Sequence, residues 1–214
     1  MLKLYTYFRS SAAFRVRIAL HLKQLPFEAV PIHLLRGGAG EQHSESYVQR
    51  NPARLVPALE DGTLSLGQSL AIIEYLEETH PSPALLPLDS RTRAKVREVA
   101  LSIACDIHPL NNLRVLRYLH APLGIEEERR NDWARHWITL GFRAIEYTLA
   151  RTAGAYCFGD APTMADCCLI PQVFNAKRVD MTFEEFPTIS RVHEHCMQQS
   201  AFMRAAPGAQ SDAE

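Results

Sequence analysis

Leu2-Lys3-Leu4-Tyr5-Thr6-Tyr7-Phe8-Arg9-Ser10-Ser11-Ala12-Ala13-Phe14-Arg15-Val16-Arg17-Ile18-Ala19-Leu20 changes its hydrophobic period once, in the middle. Leu2 to Tyr7 alternate and carry aromatic residues, which is the pattern of a strand. Phe14, Ile18 and Leu22 then recur at helical spacing, and Ser10 and Ser11 stand before them as N-cap types. Pro26 ends the helical run, and Phe27 to His33 reads as a second strand. A strand, a helix and a strand in that order make a parallel pair joined by a crossover helix.

Working outward, Gly37, Gly38 and Gly40 mark a loop, and residues 42–49 read as a short helix that stops at Asn51-Pro52. Val56-Pro57-Ala58-Leu59 is a short apolar strand. Asp61-Gly62 is a hairpin turn, and Leu64 and Leu66 supply the return strand. Gln68-Ser69 opens a helix carrying Ile72, Ile73 and Leu76. The predicted order is β-α-β-α-β-β-α over residues 1–80. Residues 81–90 hold Pro81, Pro83 and Pro87 and read as a linker. Residues 91–214 have helical periodicity throughout, with helices expected over 91–119, 126–151, 163–178 and 187–197. The tail from Pro207 is small and polar and reads as loose.

The chain has 214 residues, 47% hydrophobic and 22% charged, with a formal net charge of −1. That is the balance of a globular protein. It gives no reason to expect a nucleic-acid partner, which would call for a basic surface. No apolar run reaches the roughly 18 residues of a membrane span, and the N-terminus lacks a signal-peptide pattern, so we expect a cytoplasmic protein. The five cysteines, Cys105, Cys157, Cys167, Cys168 and Cys196, are odd in number and irregularly spaced. They fit a reducing compartment and packing roles, with no zinc spacing. The histidines show no H-E-x-x-H pattern, and no metal is expected. Thr163-Met164-Ala165-Asp166 reads as a capping box that starts a buried helix.

Three sites carry candidate chemistry. Ser10 and Ser11 stand at a helix N-terminus, where free N–H groups and partial positive charge stabilise an anion. A thiolate held there has a lowered pKa. A cis bond at Val56-Pro57 would leave backbone groups free to pair with an extended peptide. Gln68 and Ser69 begin a second helix able to hold a carboxylate. Each feature alone is equally met by a bare cap or an edge proline. Together they suit a peptide bearing a thiol and carboxylates. Arg9, Arg15, Arg17, Arg114 and Arg178 are candidates for carboxylate recognition, or else solvated surface charges.

Tyr7–Leu20 resembles the signature of zeta-class glutathione transferases, which include maleylacetoacetate and maleylpyruvate isomerases. So do Asn-Pro-x-x-x-Val-Pro-Ala-Leu (51–59), Gln-Ser-Leu-Ala-Ile-Ile-Glu-Tyr-Leu-Glu-Glu (68–78), Gly-Asp-x-x-Thr-Met-Ala-Asp (159–166) and Pro-Gln-Val-x-Asn-Ala-x-Arg (171–178). The resemblance spans nearly the whole chain. It implies a thioredoxin-like α/β N-terminal domain followed by an all-α helical domain, with glutathione as cofactor and a homodimer as the assembly. It implies that Ser10 activates the thiol, with Ser11 and Arg9 beside it as catalytic groups. Gln42, Val56, Pro57, Gln68, Ser69, His108 and Asn112 would bind glutathione. Arg9, Arg114 and Arg178 would bind a dicarboxylic keto-acid substrate. The reaction implied is cis–trans isomerisation of a maleyl acid; a conjugating transferase, a peroxidase or a non-catalytic binding module uses the same fold. One departure stands out: the signature continues Ser-Ser-Cys, and this chain has Ala12.

Overall fold

The computed structural model describes all 214 residues. Its contacts divide the chain into two compact units, residues 1–85 together with 197–214, and residues 86–196. The first unit is built on strand β1 (Leu2–Thr6), helix α1 (Ser11–Leu22), strand β2 (Phe27–Pro31), a short 3-10 turn (Glu41–His43), helix α2 (Glu45–Val48), strands β3 (Ala58–Asp61) and β4 (Leu64–Gly67), and helix α3 (Ser69–Thr79). The expected order is borne out. The four strands lie in the order β2-β1-β3-β4, with β1 and β2 parallel and the other neighbours antiparallel. Gly62 takes φ +58° in the β3–β4 turn, a conformation that suits glycine.

The alternation in β1 sorts its side chains to opposite faces. Tyr5 and Tyr7 join Phe8, Tyr47, Val56 and Ala58 in one buried cluster, with Val30, Ile32 and Leu34 against it. Helix α1 packs on α3, and Ile18, Leu20, Ile72, Ile73 and Leu76 are fully buried. Lys23, at the end of α1, is also buried. Its ammonium donates to Glu77 Oε2 and to the carbonyls of His80 and Pro83, which fixes the chain leaving α3.

The last residues do not behave as a loose tail. Helix α9 (Ser200–Ala205) packs on α1, and Pro207 is buried. Asp212 accepts a hydrogen bond from the Phe8 N–H at 3.0 Å. Small polar residues carry little hydrophobic signal, so backbone and carboxylate bonds of this kind leave no periodic trace.

The second unit contains α4 (Ser90–Leu101), α5 (Leu113–His120), α6 (Glu127–Thr152), α7 (Met164–Lys177) and α8 (Pro187–Cys196). The single helix expected over 91–119 is broken. After α4 the chain widens into a π turn at Ser102–Ile107 and tightens to a 3-10 turn at His108–Asn111 before α5. Pro109 lacks an N–H and disfavours helix at His108, and Asn112 then caps α5. The capping box is present. Asp166, fully buried, accepts from Thr163 N at 2.7 Å, Thr163 Oγ1 at 2.8 Å and Cys157 N at 2.8 Å. Burial raises its carboxyl pKa, opposed by the bonds from Cys157 and Thr163. Cys157, Cys167, Cys168 and Cys196 are buried, as packing roles require; Cys105 is exposed, against that expectation. Burial holds the thiols of Cys157, Cys167 and Cys196 above their ordinary range.

Asp166→Ala strands three buried donors and should cost about 3–4 kcal/mol of stability, read by urea unfolding. A pH dependence also follows. Burial lowers His21 from 6.5 to about 4, helped by Arg204 and Arg17, and lowers His193 likewise, helped by Lys177. Between those values the unfolded chain binds more protons than the native one, so stability rises with pH. The urea midpoint should therefore fall as pH drops from about 6.5 toward 4, and a His21→Asn/His193→Asn double variant should flatten that fall.

Candidate functional site

Three chain segments meet at one edge of the four-stranded sheet. The register sets Tyr5 opposite Ala58 and Ala58 opposite Gly67. The chain leaving β1, the chain entering β3 and the chain leaving β4 therefore run side by side. They carry Arg9, Ser10 and Ser11, then Val56 and Pro57, then Gln68 and Ser69. Helices α1 and α3 both begin at this edge, and neither has an acidic residue in its first turn. The partial positive charge of each start is therefore not offset by a carboxylate of its own first turn.

Ser10 is the N-cap of α1, with φ −70° and ψ 114°. Its Oγ accepts from Ala13 N at 3.2 Å, and its own N–H donates to Tyr7 O at 2.9 Å. A hydroxyl that accepts at a cap still has its proton to donate. Ser11 is 4% exposed, and its Oγ has no hydrogen-bond partner within the fold. The N–H groups of the first turn have no intrahelical acceptor. Ala12 contributes neither thiol nor hydroxyl. Arg9 is exposed, with its guanidinium 5.2 Å from the centre of the Phe8 ring.

The Val56–Pro57 peptide bond is cis. Tyr47 Oη and Asn51 Nδ2 both donate to Leu55 O and hold the loop just before it. Gln68 takes φ +65°, a left-handed conformation that costs a non-glycine residue about 1–3 kcal/mol and often marks a binding site. Ser69 is buried, and its Oγ accepts from Arg15 Nη1 at 3.2 Å. Gln42 is buried in the 3-10 turn. Its Nε2 donates to Ala39 O at 3.1 Å, and its Oε1 has no partner. Gly40, at φ +95°, lies so close that any side chain there would strike Gln42.

Two arginines in α1 are not solvated surface charges. Arg15 is 2% exposed and Arg17 0%. Arg15 sets a full positive charge beneath the start of α3. Arg17 donates to Thr6 Oγ1, Tyr7 O, Phe8 O and Ala205 O. Of the two readings open to them, carboxylate recognition or solvated surface charge, the second is excluded. The available signal was that Ala13, Phe14, Val16, Ile18, Ala19 and Leu20 leave α1 no polar face. A charge among them is buried and must be partnered.

In the second unit, Asn112 caps α5 by accepting from Arg114 N at 3.0 Å, and its Nδ2 lies 3.2 Å from His108 Nε2. Arg114 is exposed in the first turn of α5. Asn175 on α7 donates to Asn111 at 3.4 Å, and Arg178, exposed, ends α7 three residues on.

The model of the glutathione S-transferase N-terminal domain matches residues 4–84. A probable maleylacetoacetate isomerase from Vibrio cholerae is 51% identical over 210 residues, covering 98% of this chain and 97% of that one. The holo structure of a maleylpyruvate isomerase, described as a bacterial zeta-class glutathione S-transferase, superposes with a TM-score of 0.95 at 46% identity, covering 99% and 100% of the two chains. A maleylacetoacetate isomerase from Methylobacterium extorquens AM1, solved with malonate and glutathione bound, gives a TM-score of 0.93 at 40% identity over 99% of each chain. The fold, the paired helix starts and this similarity over the full length agree, and the chain belongs to the zeta class of the glutathione S-transferase family.

Proposed function

We propose that this protein catalyses the glutathione-dependent cis–trans isomerisation of a maleyl-type keto acid such as maleylacetoacetate. The observation that carries this reading is the first turn of α1, where the Ser10 hydroxyl can donate outward and the buried Ser11 hydroxyl has no partner. That turn suits a sulfur anion. The first unit, residues 1–85 and 197–214, contains no cysteine of its own, and glutathione supplies the thiol there. The residues fit glutathione: the buried Ser11 hydroxyl can donate or accept, the buried Gln42 Oε1 can accept, and Ser69 lies over a buried guanidinium.

When bound, glutathione supplies a thiolate that adds reversibly to the conjugated double bond, so that the bond can rotate and the thiol is returned unchanged. Ser10 and the α1 amides keep the sulfur charged at neutral pH. Val56, ahead of Pro57, pairs with the peptide backbone. Gln68 and Ser69 hold the γ-glutamyl carboxylate at the start of α3, with Arg15 adding charge below. Gln42 takes the other end of the peptide. We assign His108 and Asn112 to glutathione, and Arg9, Arg114 and Arg178 to the substrate's carboxylates, because guanidinium matches carboxylate bidentately. The glutathione and malonate bound by the Methylobacterium relative support a thiol peptide and a dicarboxylate as the two ligands. The family resemblance further supports a cytoplasmic homodimer, which sedimentation at dilute concentration tests.

The maleylpyruvate isomerase relative shares the chemistry and differs in the substrate's tail, so turnover of both maleyl acids in parallel decides the preferred one. Ser10→Ala should lower kcat by about a hundred- to a thousandfold, the scale for one preorganised donor. Steady-state rates with maleylacetone and glutathione read this directly, and an unchanged rate removes Ser10 as the activator.

A further inference from the structure

We infer that Asp212, two residues from the C-terminal end of the chain, is a positioning residue for the thiol site, holding the Tyr7–Ser10 loop through the Phe8 N–H. This rests on the glutathione reading above for its catalytic consequence, though not for its geometry.

The loop has few other restraints. The β1–β2 pairing ends at Thr6 and Pro31, and one further bond joins Ile32 N to Thr6 O. Phe8 lies beyond the ladder, is 5% exposed, and its N–H cannot reach water freely. Asp212 Oδ2 accepts that N–H at 3.0 Å. On the other side of the same residue, Arg17 Nη2 takes the Phe8 carbonyl at 3.0 Å. Both polar groups of Phe8 are thereby occupied by charged partners, and hydrogen bonds of this kind are stronger than neutral ones. Tyr7 O accepts from Arg17 Nη1 and from Ser10 N, which closes the turn. Ser10 is the next residue but one after Phe8, so a shift of the Phe8 peptide moves the cap and its hydroxyl. The Asp212 carboxylate also favours the charged form of the buried Arg17 guanidinium, against the effect of burial.

The tail is built to deliver this carboxylate. Arg17 Nε donates to Ala205 O at 2.9 Å, at the end of α9. Gln210 Nε2 then donates to the carbonyls of Arg204 and Ala206, which turns the chain after the buried Pro207. Beyond Asp212, Glu214 lies 3.3 Å from His33 Nε2 and 3.5 Å from Arg36. Its partners belong to the loop after β2, so the tail spans from the Ser10 loop to the Gln42 loop.

Three full-length variants and the wild type test this. Asp212→Ala removes the acceptor, Asp212→Asn keeps a carboxamide oxygen in its place, and Asp212→Glu keeps the charge but displaces it by one methylene. Amide hydrogen exchange at Phe8 to Ser11 is read without ligand. Ultraviolet thiolate absorbance of bound glutathione against pH, and kcat and KM with maleylacetone, are read with it. Asp212→Ala should lose protection at Phe8, raise the pH at which bound glutathione ionises, and lower kcat by about tenfold with little change in KM. Asp212→Asn should recover most of all three. A folded Asp212→Ala with wild-type exchange, or with faster exchange but unchanged ionisation and kcat, overturns the inference. If Asp212→Ala does not fold, an active Asp212→Asn beside an impaired Asp212→Glu supports it, and the reverse order overturns it. Should the wild type bind no glutathione, the functional reading falls, and the ligand-free exchange at Phe8 still decides whether Asp212 holds the loop.

Discussion

The guanidinium of Arg17 is the interaction on which the rest of the first unit turns. It has no exposure to solvent and donates to four oxygens: Thr6 Oγ1, Tyr7 O, Phe8 O and Ala205 O. Burial pulls its pKa down to about 10, with Asp212 acting the other way, so it stays charged at neutral pH. A buried charge is tolerated only when its hydrogen bonds are made, and a guanidinium offers five donors in a rigid fork. The loop between β1 and α1 must therefore keep its carbonyls turned toward α1. That constraint places Ser10 at the cap, and it also ties the end of the chain to its beginning.

From that placement the electrostatics of the site follow. Two helices begin at one edge of the sheet with no acidic residue in either first turn. The positive ends of both are uncompensated within the fold. Arg15 adds a whole charge beneath Ser69. On the proposed reading, an anionic peptide would meet both ends, with the Val56 backbone between them. Gln68 bears a positive φ at the same place. Local strain and unmatched charge thus coincide at the start of α3, where the proposed function places the γ-glutamyl carboxylate.

The cysteines divide along the same line. All five lie within residues 86–196, and burial makes three of the thiols weaker acids than a free one. The reactive sulfur is thus separated chemically from the protein's own. Four of the five thiols are buried, Cys105 alone being exposed, and none lies in the unit that carries the start of α1.

By itself the sequence determined the order of strands and helices over residues 1–80, the hairpin at Asp61-Gly62, the capping box at Thr163–Asp166 and the helix starts at Ser10 and Ser69. These are local matters of period, turn chemistry and capping, and they are written in neighbouring residues. The tertiary structure alone decided what lies far apart in the chain. Arg15 meeting Ser69, Arg17 meeting Ala205 and Phe8 meeting Asp212 join positions 54, 188 and 204 residues apart. Such bonds leave no periodic trace, so two buried arginines read like surface charges and a structured tail read like a loose one. The break at His108–Asn111 lies between these cases: Pro109 is a local breaker, yet helical periodicity on both sides of it read as one helix over 91–119.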